Sequence, residues 1–335
     1  MTSLLRRKTI LVTGGTGSIG QELVKRSLSD GATFVRVLSN DENGLYEMEL
    51  DFKKKKNVEF VMGDIKNFDS VNSASKNIDI IFHTAALKHV DRCELFPFEA
   101  VTTNIIGTNN VVNAAINQKV KQVVNISTDK AVNPIGVLGA TKLLTEKIMS
   151  TEAFRNRSNT IFSSVRFGNV LNTRGSIIPR IEKQIMEGGP ITLTDTRMKR
   201  FFMTKTESVN LILKAAEYAK GGETFILKMP ILLLKDLFDV MKDTIAPKYG
   251  FKPSQIKIKV TGIRPGEKIV EYLLTSFEME HVLETDNFFI MPSMFKSINS
   301  KNYSKAKKPK NLKEVFKNQK AISKNDIKNM LKNHY

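Results

Sequence analysis

Thr9-Ile-Leu-Val-Thr-Gly-Gly-Thr-Gly-Ser-Ile-Gly-Gln-Glu-Leu23 is the stretch on which the fold is decided. An apolar, β-branched run of strand length enters a glycine-rich turn, and Gly14, Gly17 and Gly20 stand where a helical pattern begins. Glycines let a backbone turn tightly and come close to a pyrophosphate. The N-terminus of the following helix adds free N–H groups and a favourable dipole. Strand, turn and helix in that order predict a dinucleotide cradle built from Gly14, Thr16, Gly17, Ser18, Ile19 and Gly20.

Outward from this turn, residues 8–150 alternate β-branched runs with helix-like stretches. Strands are expected at Thr9–Thr13, Thr33–Ser39, Val58–Met62, Ile78–Thr84, Gln122–Ser127 and Thr160–Phe167, and helices at Gln21–Asp30, Pro97–Gln118 and Leu138–Thr151. That alternation predicts an α/β fold, a Rossmann-type doubly wound parallel sheet. The expected organisation is a dinucleotide-binding domain over 1–168, with its catalytic segment at 127–142. A smaller, mainly substrate-binding lobe over 169–294 follows, where Pro179, Gly188, Gly189, Pro190, Gly221 and Gly222 punctuate shorter elements, and then a lysine-rich tail over 295–335.

The second strand ends in Ser39-Asn-Asp-Glu-Asn, where an acidic side chain suits the hydroxyls of an adenosine ribose. Asp41 is the candidate, with Asn40 beside it. Residues 39–45 hold no Arg or Lys for a 2′-phosphate, so NAD is favoured over NADP, with only Arg36 or Lys53–Lys56 able to fold back. Gly63-Asp64-Ile65 after the third strand is the expected adenine turn, Asp64 accepting from the exocyclic amine and Ile65 beside it; the competing reading of Asp64 is a turn or N-cap residue.

Composition bounds the rest. At 335 residues with 41% hydrophobic content the chain can bury a full core. No run of about 18 apolar residues occurs, and the first residues lead directly into a strand, so a cytoplasmic protein is expected. Cys93 is the only cysteine, which excludes an intrachain disulfide, and no metal site is expected. The net charge of +18 is localised: between Phe295 and Tyr335 twelve lysines face only Glu314 and Asp326. The plain reading is a solvated terminal segment with one or two short helices. Peripheral contact with an anionic membrane or a pathway partner stays open, whereas the lack of interleaved aromatics argues against nucleic acid.

Four further clusters follow the strands: Thr84-Ala-Ala-Leu-Lys-His-Val, Thr103-Asn-Ile-Ile-Gly-Thr, Ser127-Thr-Asp-Lys-Ala-Val-Asn-Pro and Gly139-Ala-Thr-Lys. With Val165-Arg-Phe-Gly-Asn-Val, Gly175-Ser-Ile-Ile-Pro, Met198-Lys-Arg-Phe-Phe-Met-Thr, Gly222-Glu-Thr-Phe-Ile-Leu-Lys-Met-Pro and Gly262-Ile-Arg-Pro-Gly-Glu-Lys, the chain from about Lys8 to about Leu274 resembles the UDP-N-acetylglucosamine 4,6-dehydratases, extended short-chain dehydrogenases/reductases of polysaccharide biosynthesis. The resemblance implies an NAD-dependent enzyme acting on UDP-N-acetylglucosamine, usually as a homo-oligomer. It adds Ala85, Ala86, Lys88, Asn104 and Lys142 to the cofactor site, and Lys88, Asn169, Ser176, Arg200, Arg264 and Glu267 to the substrate site. Lys142 would hold the nicotinamide ribose, and the two arginines would lie near the diphosphate.

The reaction it implies oxidises C4, eliminates water across C5 and C6 and returns hydride to C6, so an acid and a base must flank C5 and C6. Asp129 as acid and Lys130 as base match the family motif, each needing a pKa moved toward neutrality, with Ser127 or Thr128 orienting the sugar. One departure matters. Leu138 stands where the wider superfamily has a catalytic tyrosine, so the acceptor of the C4 hydroxyl proton is left open between Asp129, Thr128 with a water, and the substrate phosphate. Similarity to tyrosine-lacking relatives implies retention at C5 and the D-xylo product. The competing functions are a UDP-N-acetylglucosamine 4-epimerase, which needs no C5/C6 pair, and a catalytically silent dinucleotide-binding protein.

Overall fold

A computed structural model of the chain describes residues 3–155, 158–295, 303 and 306–332. Its centre is a nine-stranded sheet. The first half of the chain supplies β1 (Thr9–Thr13), β2 (Phe34–Ser39), β3 (Val58–Met62), β4 (Ile80–His83), β5 (Gln122–Thr128) and β6 (Ile161–Phe167), all parallel. From β1 the chain first builds outward through β2 to β3, then returns to β4 on the other side of β1 and builds the opposite way. The direction therefore reverses between β1 and β4, and in such sheets a crevice opens there, beyond the carboxyl ends of the strands.

Burial explains why these runs are strands. The inner strands are covered on both faces, so they read as continuous apolar stretches rather than as an alternation. Ile10 and Val12 point to one face with Leu23 and Val24 of α1 (Ser18–Ser29), while Leu11 points to the other with Val71 of α3 (Phe68–Ala74) and Val111 and Val112 of α6 (Gly107–Asn117). Between β2 and β3 lies α2 (Glu42–Phe52), capped by Asp41. After β4 come α4 (Val90–Leu95) and α5 (Pro97–Ala100), which lead into α6 through a π-helical segment, Val101–Ile106. The single helix expected over Pro97–Gln118 is thus helical without a break but π-helical in its middle, and α1 starts at Ser18, before the expected Gln21, with Gly17 as its N-cap. The long helix α7 (Val137–Arg155) covers β5 and β6.

Beyond β6 the chain builds β7 (Asn169–Val170), α8 (Ile177–Met186), β8 (Ile191–Leu193), β9 (Lys199–Met203), α9 (Lys205–Tyr218), β10 (Thr224–Leu227), β11 (Ile231–Leu233), α10 (Leu234–Ile245), β12 (Ile258–Val260), α11 (Ser276–His281), β13 (Leu283–Glu284) and β14 (Phe288–Met291). A second core forms where Ile178, Ile181 and Ile185 of α8 meet Leu237, Phe238 and Met241 of α10, both at helical spacing. Not all of this half lies apart, however. The buried run Thr224–Leu227 pairs in parallel with β6, β14 and β13 finish the large sheet antiparallel, and α9 packs on α1.

The lysine-rich segment is held to the body rather than simply solvated. Tyr303 is buried and donates its hydroxyl to Glu223 Oε1 at 2.6 Å; Leu312 of α12 (Leu312–Lys317) and Ile327 and Leu331 of α13 (Lys324–Lys332) are also buried, α13 against α10. These apolar side chains are spaced among exposed lysines, so average composition conceals them. Lys324 reaches Asp239 at 2.7 Å. Lys296, Lys301 and Lys305 lie outside the described residues. Among the described residues no helix is long and apolar enough to cross a membrane.

Candidate functional site

A cavity of about 790 Å³ runs along the carboxyl ends of β1, β2, β4 and β5. Its floor is the glycine turn. Gly14 has φ +66°, a conformation that L side chains rarely adopt, and a Cβ there would lie 2.6 Å from the Ala85 backbone. Gly17 caps α1 without a side-chain hydrogen bond, which leaves the first N–H groups of α1 for a ligand. Gly14, Thr16, Gly17, Ser18, Ile19 and Gly20 all line the cavity, as do Asn40, Asp41, Asp64, Ile65, Ala85, Ala86, Lys88, Thr128, Lys130 and Lys142.

At one end, Thr16 Oγ1 and Ser39 Oγ share a hydrogen bond of 2.8 Å, and Asp41 Oδ1 accepts from Gly44 N at 3.1 Å. The Gly44 N–H holds the Asp41 carboxyl below its ordinary pKa, with Arg174 acting in the same sense and partial burial opposing. Asp41 Oδ2 accepts from Arg174 Nη2 at 2.9 Å, a contact across 133 residues that no local reading of the Ser39–Asn43 turn could contain. Arg36 points elsewhere, to Glu59 at 2.6 Å and the carbonyl of Ala74 at 2.7 Å. Asp64 is a turn residue in its own right, accepting from Lys66 N at 2.8 Å and from Asn40 Nδ2 at 3.2 Å. Lys88 Nζ donates to the Arg174 carbonyl at 2.8 Å, and burial followed by the Arg174 charge lowers its pKa.

At the other end β5 runs into a one-turn 3₁₀ helix, Asp129–Ala131. This turn is pressed against α7: a Cβ on Gly139 would lie 2.2 Å from the Lys130 carbonyl, so only glycine permits the approach. Asp129 is fully buried behind the lining residues Thr128 and Lys130. Its Oδ1 accepts from Thr128 Oγ1 and from Lys130 Nζ, both at 2.9 Å, and its Oδ2 has no hydrogen-bond partner among the described residues. The Lys130 side chain is 23% exposed. Burial pulls its pKa down, but the Asp129 and Glu271 carboxylates outweigh burial and hold it above the ordinary lysine value. The expected drift toward neutrality is therefore absent for Lys130 in this arrangement. It occurs at Lys142, whose Nζ donates to the Ile126 carbonyl at 2.6 Å and whose pKa burial pushes down to about 8, against the opposing carboxylate of Glu146. Leu138 is buried with Cys93 and Ala100, and burial raises the Cys93 thiol to about 11.

Several expected site residues sit off the cavity wall. Asn104 is buried with its amide committed to the backbone: Oδ1 accepts from Leu87 N at 2.8 Å, and Nδ2 donates to the Leu87 carbonyl at 3.1 Å and to Thr141 Oγ1 at 3.0 Å. It braces the Ala85–Lys88 loop from behind. Arg200 likewise donates to the carbonyls of Lys199, Lys268 and Ile269 at 2.7–3.0 Å, so it clamps the segment carrying Glu267 instead of facing a diphosphate. Glu267 accepts from Arg264 N at 3.3 Å, and Asn169 Oδ1 and Ser176 Oγ are buried without partners among the described residues. Arg180 belongs to none of the motifs and emerges only in the folded chain. Its Nε is buried without a partner among the described residues, and burial, reinforced by the neighbouring Arg264 charge, lowers its pKa.

Two buried networks brace the site. Ser127 Oγ donates to Glu146 Oε1 at 2.6 Å, and Glu146 pairs with the buried Arg166, whose remaining donors reach Glu278 and the Leu273 carbonyl. His83, at the end of β4, lies between Thr13 Oγ1 at 2.7 Å and Thr108 Oγ1 at 3.0 Å. Thr108 gives its own proton to the Asn104 carbonyl, so His83 Nε2 is the donor and Nδ1 accepts from Thr13. Burial, aided by Lys142, depresses the His83 pKa to about 3. The unfolded chain then binds a proton near pH 6.5 that the folded chain refuses, so His83 favours folding fully above pH 6.5 and progressively less as pH falls toward 3. We expect urea-unfolding stability to drop by up to about 1.4 kcal/mol per pH unit across that window. His83→Gln should flatten the upper part of that slope, between the ordinary histidine and carboxylate ranges. An unchanged slope in the variant would remove His83 from the account.

Residues 10–293 match the family described as polysaccharide biosynthesis protein. A Methanocaldococcus jannaschii protein described as an uncharacterised membrane protein is 48% identical over 292 residues, covering 87% of each chain. A Rickettsia bellii protein named UDP-glucose 4-epimerase is 38% identical over 301 residues, covering 88% of this chain and 86% of its own. Among solved structures, Pen from Bacillus thuringiensis superposes with a TM-score of 0.89 at 42% identity, covering 98% of both chains. The dTDP-glucose 4,6-dehydratase DesIV from Streptomyces venezuelae, solved with NAD and TYD bound, superposes at 0.70 with 22% identity over 79% of this chain and 88% of its own, a likeness of fold.

Proposed function

The chain belongs to the polysaccharide biosynthesis protein family, and from that premise we propose that it is an NAD-dependent nucleotide-sugar enzyme that dehydrates UDP-N-acetylglucosamine across C5 and C6. The observation that carries this reading is the Asp129–Lys130 pair at the end of β5, its carboxylate buried and its lysine lining the same cavity as Lys142, with leucine in the phenol position. A hydroxyl oxidation alone calls for one proton acceptor; a second, oppositely tasked pair is what an elimination requires.

The cavity suits NAD on its own terms. The Gly14 turn leaves no room for a side chain, the N-terminus of α1 has no side-chain cap, and Asp41 stands at the adenosine end. Gly14 to Gly20 would take the pyrophosphate, Asp41 the ribose hydroxyls, Asp64 and Ile65 the adenine, and Lys142 the nicotinamide ribose. Bound there, the nicotinamide supplies a reversible two-electron acceptor for C4. The protein's own part is to move protons. Once C4 is a ketone, the C5 proton is acidic, and Lys130 must be an amine to remove it while Asp129 must be an acid to protonate the departing C6 hydroxyl. As they stand the two form an ion pair, and one proton moved along the 2.9 Å Nζ–Oδ1 contact converts it into that neutral acid and amine. That proton arrives on Oδ1, which also accepts from Thr128, while Oδ2 has no partner among the described residues. Substrate contacts are assigned to Lys88, Asn169, Ser176, Arg264 and Glu267, with Arg180 added beside Arg264.

A second reading, sugar 4-epimerisation, is favoured by the name of the Rickettsia relative. NMR of the protein with UDP-N-acetylglucosamine in D₂O separates the two. A 4-keto-6-deoxy product with deuterium at C5 is expected, its ring couplings reporting the D-xylo configuration if C5 is retained. Accumulation of UDP-N-acetylgalactosamine would make the protein an epimerase, and unchanged substrate despite NAD binding would leave a dinucleotide-binding protein. Leu95, Phe98 and Ile106 are exposed, Phe98 at 73%, next to α7 with its exposed Leu144, which supports self-association through this face.

A further inference from the structure

We propose that Arg174, brought to the adenosine end of the cavity from the loop after β7, determines how well this protein accepts a 2′-phosphate and thereby sets its preference between NAD and NADP. This rests on the dinucleotide reading above and extends it to a residue on the far side of the groove.

An acidic side chain after β2 normally selects for NAD, because its charge repels a 2′-phosphate. Here that charge is not alone. Arg174 Nη2 meets Asp41 Oδ2 at 2.9 Å, which offsets the repulsion at the point where the phosphate would sit. The loop that carries Arg174 is tied down on both sides of the cavity: its N–H donates to Ser18 Oγ at 2.9 Å, and its carbonyl accepts from Lys88 Nζ at 2.8 Å. The guanidinium is thus presented from a fixed backbone. Its side chain is 64% exposed, and Nε and Nη1 have no hydrogen-bond partner among the described residues, so it can keep Asp41 and still offer donors to a second anion. The other nearby cations are engaged. Arg36 is turned to Glu59 and backbone carbonyls, and Lys66 is paired with Asp64 at 3.8 Å and Glu99 at 3.4 Å.

A 2′-hydroxyl needs only an acceptor from Asp41, whereas a 2′-phosphate needs both a donor fork and relief from the Asp41 charge. Removing Arg174 takes away both, so the loss must fall mainly on NADP.

The test is equilibrium binding of NAD and of NADP, each alone, to the full-length protein and to Arg174→Ala and Arg174→Lys, with thermal melts to verify folding. The wild-type protein should bind NADP within about tenfold of NAD. Arg174→Ala should weaken NADP at least about tenfold more than NAD, and Arg174→Lys should recover part of the difference by restoring the charge. Equal losses for both dinucleotides would reduce Arg174 to a general strap and overturn the inference while leaving the cofactor reading intact. A wild-type protein that bound neither dinucleotide would overturn both.

Discussion

Asp129→Asn is expected to slow conversion of UDP-N-acetylglucosamine by about a thousandfold while NAD affinity changes by less than about threefold, since a positioned acid or base contributes roughly 10²–10⁴ to rate. Asparagine keeps the shape and can still accept at Oδ1, but it cannot receive the proton that Lys130 must give up. Lys130→Met should be as damaging, because the remaining carboxylate is buried and has no ammonium beside it to supply a proton. The two residues share one proton in the proposed scheme, so the double variant should be little worse than either single one, a non-additivity expected of groups that act as a unit. Turnover measured under saturating substrate, with NAD titrated separately, separates loss of chemistry from loss of binding. A protein whose turnover survived Asp129→Asn within about tenfold would place the acid elsewhere, and C4 epimerisation would then be the better reading of the site.

How far the amino-acid sequence alone reveals the fold and the site follows from the range of the interactions. The strand ends and the glycine turn are local: Thr9–Thr13 stands where expected because an inner parallel strand is apolar throughout, Val58–Met62 because β-branched and aromatic residues mark even a half-exposed edge strand, and the turn because Gly14 has room only for a glycine. The placement of Asp129 and Lys130 at the end of β5 is likewise legible, since they come just after the strand expected over Gln122–Ser127. What stays hidden depends on distant residues. Arg174 reaches Asp41 only after the chain has crossed the sheet, and Arg200 is absorbed by backbone carbonyls of a loop almost seventy residues away. Asn104 resembles a ligand residue in the motif, yet a π-helical turn places it under the Leu87 backbone. The direction of the Lys130 shift is hidden for the same reason: burial alone would lower its pKa, and the Glu271 carboxylate, far along the chain, helps to reverse the sign.

Arg166 carries the second large effect, this time on stability. It is fully buried on β6, and all five of its donors are used: Nε and Nη2 to Glu146 at 3.0 and 2.7 Å, Nη1 and Nη2 to Glu278 at 2.9 and 2.7 Å, and Nη1 to the Leu273 carbonyl at 3.0 Å. Arg166→Met keeps much of the volume but leaves two carboxylates facing each other away from water, and we expect a loss of about 3–5 kcal/mol in urea unfolding. The charge, not the packing, should account for most of it. Adding Glu146→Gln and Glu278→Gln to Arg166→Met should therefore recover more than half of the loss, since neutral amides cost far less to bury than unpaired carboxylates. The pH dependence provides an independent measure. Burial raises the Glu278 pKa, but Arg166 and the Thr275 cap outweigh it and hold the carboxyl below its ordinary value, so its stabilisation is present above the unfolded pKa and is lost as pH falls through the folded one. In Arg166→Met that order inverts: with burial no longer opposed by the guanidinium, Glu278 titrates above its ordinary range, and the variant should gain relative stability on acidification where the wild-type protein loses it. Ser127 donates to the same Glu146, and Asp129 lies two residues beyond Ser127, so the triple variant offers a direct comparison of folding with catalysis. If stability returns but turnover does not, the buried cluster holds the catalytic turn in position; if both return together, its role is confined to holding β5, β6, α7 and α11 in one core.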